Sequence, residues 1–188
     1  GCYLGTGPGR AALAATAAHS TLCLNDTNSS EFIAAQTAAR RIKTRPNFVT
    51  VTRDEQPQST RLDARHDGYR ENFGFMHQRT LTLEDNGETL TGVEKLSGSN
   101  SHAHFAIRFH LHPNAQASLT QDGQTVLVKL PSGGGWRFRF EGNAALGLEP
   151  SIYSPDGNAQ RRSVQLVIHG ETTGPCQINW KLAREKRG

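Results

Sequence analysis

The apolar positions of this 188-residue chain fall mostly into short runs with a period of two. That is the spacing of a strand that buries one face and leaves the other polar. Two runs carry it most cleanly. From Phe105 to Leu111, the apolar Phe105, Ile107, Phe109 and Leu111 face one way, with Ala106, Arg108 and His110 opposite. From Trp136 to Phe140, the rings of Trp136, Phe138 and Phe140 share a face and Arg137 and Arg139 share the other. Further strand-like runs lie at Phe48–Val51, Thr60–His66, Phe73–Glu84, Glu88–Leu96, Ala117–Leu119, Val126–Val128, Ser163–His169 and Gln177–Leu182. Asp85-Asn86-Gly87 and Gln121-Asp122-Gly123-Gln124 sit between such runs and predict hairpins. Asp54 to Ser59 reads as a break between two others. About ten strands with short turns predict an all-β domain, a two-layer antiparallel β-sandwich. Its core is expected to hold Phe105, Ile107, Phe109, Trp136, Phe138 and Phe140.

The beginning of the chain reads differently. Gly1 to Gly9 is turn-forming, Ala11 to Ala18 is Ala-rich, and Glu31 to Ile42 fits a short helix or an ordered loop. The Ala-rich run is not assigned as a helix, because Ser20 to Leu24 turns at once to strand-like alternation. Residues 1–46 are therefore expected to be a short irregular or helical segment packing on a sandwich of residues 47–188, together one structural domain. The chain opens at Gly1 rather than Met, so it is read as a fragment of a longer protein.

Composition changes this picture only in places. The 19 Gly and 8 Pro favour turns over long helices. A formal charge of +4 and a pI near 9.2 suit an anionic partner. Much of the excess, however, sits in Arg40-Arg41-Ile42-Lys43 and the tail from Lys181 to Arg187, runs that also read as solvated surface. Without an RRM, OB or zinc-finger signature, no nucleic-acid partner is expected. No run approaches the roughly 20 apolar residues of a membrane span. Cys2, Cys23 and Cys176 have no metal-type spacing and predict no disulfide framework, and any pairing among them stays open. Pro131 to Gly135 lacks the Lys and the helix of a phosphate loop, and no G-x-S-x-G elbow is present.

Two clusters could carry chemistry. His102, His104, Arg108, His110 and His112 share one side of a single run, opposite Phe105, Ile107 and Phe109. They read as a polar outer sheet face, as a surface for a sugar or carboxylate, or, at His110 and His112, as two imidazoles for a metal. The sequence places no third metal ligand beside them. His66-Asp67-Gly68-Tyr69 reads either as a tight turn with Tyr69 packed on the sheet, or as a cleft edge where a phenol assisted by His66 acts as a base.

The stretch Ala14-Ala15-Thr16-Ala17-Ala18-His19-Ser20-Thr21-Leu22, followed by Asp26, resembles a signature of the heparinase II/III-like family. Similar matches occur at His66 to Tyr69, at Phe75-Met76-His77-Gln78-Arg79 and at Phe105 to Pro113. Another runs from Leu130-Pro131-Ser132-Gly133 to Trp136-Arg137-Phe138, so the likeness spans nearly the whole chain. The order of these matches is more specific than any one of them. Ser20 stands where many relatives carry Asn.

The resemblance implies the carboxy-terminal β-domain of a bacterial polysaccharide lyase that cleaves uronic-acid polysaccharides by β-elimination. It also implies a helical toroid domain ahead of this segment and a periplasmic or cell-envelope location. The family His at the position of His19 is one ligand of a metal, usually zinc. The other ligands, and the toroid's acid and base, precede the segment. Zinc is thus expected in the longer protein and not on this chain alone, and no catalytic residue is assigned here. His66, Tyr69, Arg108, His110 and His112 are the candidate substrate-binding residues. The competing reading is a non-catalytic carbohydrate-binding or assembly module.

Overall fold

The structure, a computed structural model, describes residues 10–32, 42–155 and 159–185. Its strands, in chain order, begin with β1 (Leu22–Leu24), β2 (Glu31–Phe32), β3 (Ile42–Thr44), β4 (Val49–Gln56) and β5 (Ser59–Tyr69). There follow β6 (Phe75–Glu84), β7 (Thr89–Ser97), β8 (Ala103–His110), β9 (Gln116–Leu119) and β10 (Thr125–Lys129). The last four are β11 (Gly135–Glu141), β12 (Ala145–Tyr153), β13 (Arg161–Thr172) and β14 (Cys176–Arg184).

They form an eight-stranded sheet in the order β4-β5-β6-β7-β14-β11-β10-β9 and a four-stranded sheet in the order β1-β8-β13-β12. The pair β2-β3 stands apart. Every pairing within the two large sheets is antiparallel. The inner faces meet in one apolar layer, where Phe109 of the small sheet contacts Phe138 and Trp180 of the large one at ring-centroid distances of 4.8 Å each. The expected core positions are in it. Phe105, Ile107, Phe138 and Phe140 are buried, and Phe109 and Trp136 are half-buried against them. Each fully buried aromatic or aliphatic side chain of this kind contributes about 1.5–3 kcal/mol.

Both expected hairpins form. The turn Asp85–Gly87 joins β6 to β7, with Asn86 at φ 55° and Gly87 at φ 89°, and Gly123 at φ 67° helps to join β9 to β10. One expectation needs correcting, and one strand was not anticipated. The break at Asp54–Ser59 is only a two-residue turn, because Gln56 pairs with Ser59 and the charged residues Arg53 to Glu55 continue β4. The stretch Ala145–Tyr153, which Gly147 and Pro150 disguise, is the strand β12. Proline is tolerated there because β12 is the edge of its sheet.

In the N-terminal segment, Arg10–Leu13 forms one helical turn and Thr16–Ala18 a 3₁₀ turn before β1. The helix or loop expected at Glu31–Ile42 falls largely on residues 33–41, outside the described residues, as do Arg40, Arg41 and Gly1 to Gly9. Cys23 and Cys176 are free thiols, while Cys2 lies outside the described residues. No described helix is long and apolar enough to cross a membrane.

Candidate functional site

The signature segment Thr16–Leu22 lies beside β8, and several side chains from distant strands hold its backbone. Tyr69, at the end of β5, donates its hydroxyl to the Leu22 carbonyl at 2.9 Å. Arg79 of β6 donates Nη1 to the Ser20 carbonyl at 2.5 Å. His110 of β8 donates Nε2–H to the Ala17 carbonyl at 3.1 Å, and its own backbone N–H donates to Ser20 Oγ at 3.1 Å. The Arg108 amide bonds the Thr21 carbonyl. His19 stands exposed in the middle of this frame. Partial burial lowers its pKa from the ordinary imidazole value.

Arg79 links this frame to a buried polar chain that the sequence reading did not find. Glu94 of β7 is 1% exposed, on the apolar face of its strand. It accepts from His77 Nε2 at 2.6 Å, from Arg79 Nε at 2.6 Å and from Trp180 Nε1 at 3.3 Å. His77 Nδ1 in turn accepts from His66 Nε2 at 3.1 Å, and His66 Nδ1 accepts from the Gly68 amide at 3.1 Å. Because the Gly68 amide can only donate, these bonds fix both imidazoles with the proton on Nε2. Burial, together with the neighbouring His77, pushes the His66 pKa down to about 4. Burial would push the Glu94 carboxyl up, but the His77 hydrogen bond and the Arg79 charge outweigh it and hold the carboxyl low. The available signal was phase: Leu90, Gly92, Glu94 and Leu96 share one side of β7, so Glu94 falls on a buried face.

The six residues singled out by sequence are therefore distributed unevenly. Tyr69 and His110 converge on the segment that carries His19. His66 lies farther back, joined to Arg79 through His77 and Glu94. Tyr69, offered as a cleft-edge phenol, is 0% exposed, and burial pushes its pKa well above the ordinary range. It holds the fold rather than facing a cleft. Arg108 is mostly buried and lies 3.7 Å from Asp26, in the turn that follows β1. His110 Nδ1 accepts from Ser151 Oγ at 2.8 Å, and burial lowers its pKa, helped by the charges of Arg108 and His19. His112 stands apart, edge-on to Tyr153, with Nδ1 accepting from the Asn114 amide. His110 and His112 thus have separate partners and do not form a joint metal site.

A polar cleft of about 740 Å³ opens beside Asp67 and Gly68, which form not the tight turn expected from sequence but a register shift within β5, between His66 and Tyr69. Lys43, Arg45, Asp67, Arg70 and Glu71 are among the residues that line it. Asn28 and Ser29, also on its wall, bond Thr16 at the start of the signature segment.

Comparison with known proteins agrees with this fold. FtsZ-localized protein C of Caulobacter vibrioides is 36% identical over 137 residues, covering 65% of this chain and 23% of that protein. A mutant of the heparan sulfate lyase HepC from Pedobacter heparinus shares the fold, with a TM-score of 0.77 at 14% identity, over 100% of this chain and 28% of that one. A crystal structure of heparinase III shares it with a TM-score of 0.66 at 15% identity, over 90% and 24% of the two chains. The chain thus spans about a quarter of the length of these relatives. Residues 1–181 match the family described as heparinase II/III-like, C-terminal, and to that family this chain belongs.

Proposed function

We propose that this chain is the carboxy-terminal β-domain of a polysaccharide lyase that cleaves uronic-acid-containing polysaccharides by β-elimination, with its main catalytic residues outside the chain. The family match over residues 1–181 carries this reading. β-Elimination needs a neutralised uronate carboxylate, a base for the neighbouring C–H and an acid for the leaving oxygen. Three groups that could act as acid or base are committed within the fold: His66 to His77, Tyr69 to Leu22, and His110 to Ala17 and Ser151. Acid and base are accordingly assigned to a helical toroid domain that precedes this segment. The β-domain supplies His19 on a fixed backbone. It also supplies a cleft wall where Arg45 and Arg70 can meet an anionic chain.

The described residues do not themselves complete a zinc site at His19, which belongs to no group of three potential ligands among them. A metal bound there would take its other ligands from outside the described residues. The same reading places the protein in the periplasm or cell envelope.

β-Elimination leaves an unsaturated uronate that absorbs in the ultraviolet, so the reaction can be followed directly. The longer protein is expected to form that product from heparan sulfate, chondroitin sulfate or alginate, and the 188-residue chain alone to form none. Product formed by the pure chain would overturn the assignment of acid and base to groups outside it.

One observation favours a second reading. The 36% identical relative bears the name of an FtsZ-localized protein. Under that reading the domain is a non-catalytic carbohydrate-binding or assembly module, and the longer protein forms no product from any of these substrates.

A further inference from the structure

The antiparallel register of β8 and β13 sets His104 directly opposite Glu171. His102, two residues earlier, lies on the same side of the sheet. His102 Nε2 is 3.3 Å from one Glu171 carboxylate oxygen, and His104 Nδ1 is 3.3 Å from the other. The two imidazoles stand edge to face, with centroids 4.9 Å apart. One ligand atom from each of the three residues lies within 4.8 Å of the others, and all three residues are exposed.

These separations bear on two uses of the cluster. A strong charge-assisted N–H to carboxylate bond closes to about 2.7–2.9 Å. Ligand atoms around a tetrahedral ion with bonds of about 2.0–2.1 Å stand about 3.3 Å apart. Each imidazole faces a different oxygen of the Glu171 carboxylate at 3.3 Å, longer than a strong charge-assisted bond and near the edge length of such a tetrahedron, so a small side-chain adjustment would bring all three residues onto one ion. Exposed ion pairs also add little to stability, so folding alone does not account for gathering three ligands here.

We propose that His102, His104 and Glu171 bind a divalent first-row transition metal, zinc foremost. Two imidazoles and a carboxylate leave the fourth position open to water or to an anionic group, the ligand set of an open zinc site. The site is separate from His19 and does not depend on lyase activity. It also revises the expectation that this chain alone binds no zinc, which followed from His19 having no partners in sequence. Glu171 lies 67 residues beyond His104 and reaches it only through the strand register.

Calorimetric titration of the 188-residue chain with Zn²⁺ tests the proposal, with the absorption spectrum of Co²⁺ as a second readout. One Zn²⁺ per chain is expected, weakened at least about tenfold by His104→Ala and by Glu171→Gln and unchanged by His19→Ala. Both altered positions are exposed, so the variants should melt with the unaltered chain, and Co²⁺ should lose its tetrahedral bands in both. Absence of binding, binding that survives both substitutions, or binding lost on His19→Ala would each overturn the proposal.

Discussion

Replacing Glu94 by alanine is expected to destabilise the domain by about 3–5 kcal/mol, because it leaves the Arg79 guanidinium buried without its counter-charge. Glutamine should not rescue it. Every neighbour of the carboxylate donates: His77 Nε2, Arg79 Nε and Trp180 Nε1. An amide NH₂ would face at least one donor. His77 cannot relieve the clash by moving its proton to Nδ1, because Nδ1 already accepts from His66, whose own tautomer is held by the Gly68 amide. Denaturant midpoints of Glu94→Ala and Glu94→Gln measure the effect, and a loss below about 1 kcal/mol in both would refute the network's importance.

Acid should weaken the same network in two stages. His66 stays neutral in the folded chain down to about 4, whereas its ordinary value is 6.5. Between those values the unfolded chain binds the extra proton, so stability is full above pH 6.5 and falls toward pH 4. The Glu94 carboxyl is held below its ordinary 4.5. Its contribution is therefore present above that value and is lost as pH drops through the lower folded one. Melting temperatures across this range should show the first fall, flattened in His66→Gln.

Gly92→Ala should cost about 3 kcal/mol, the upper part of the range for overpacking. Gly92 lies opposite Trp180 in the β7–β14 pairing, and an added Cβ would sit 2.1 Å from two carbons of the indole. The ring has little room to retreat. It stacks on Phe138 at 6.0 Å, meets Phe109 edge-on and donates to Glu94. A double variant, Gly92→Ala with Trp180→Leu, should lose less than the sum of the two singles, since residues in contact couple. Gly147 on β12 has nothing within 4 Å of an added Cβ. Gly147→Ala should thus change stability by no more than about 0.5 kcal/mol. Equal effects at the two glycines would remove the packing explanation.

The strands were legible wherever one face is apolar and the other polar, as at Phe105–Leu111 and Trp136–Phe140, because alternation reports burial directly. Where burial and alternation part company, legibility failed. β12 contains Gly147 and Pro150, which read as punctuation, yet an edge strand accepts a residue without a ladder N–H. The site was legible to the extent that its residues are neighbours in sequence. His19 came from the signature around it. Glu94 and Glu171 look like surface carboxylates when read alone. They acquire partners only through the registers that set Glu94 opposite Arg79 and Glu171 opposite His104.

His19 is the point at which this domain meets the proposed chemistry, on a segment whose backbone is held by Tyr69, Arg79 and His110 from three different strands. The direct measurement is the rate of unsaturated uronate formation by the longer protein and by its His19→Ala variant. A loss of about a hundredfold or more is expected, while the 188-residue chain carrying the same substitution should melt as before, because His19 is exposed in it. Equal rates in the two proteins would contradict a part for His19 in a lyase site and leave this domain only a structural place in the longer protein.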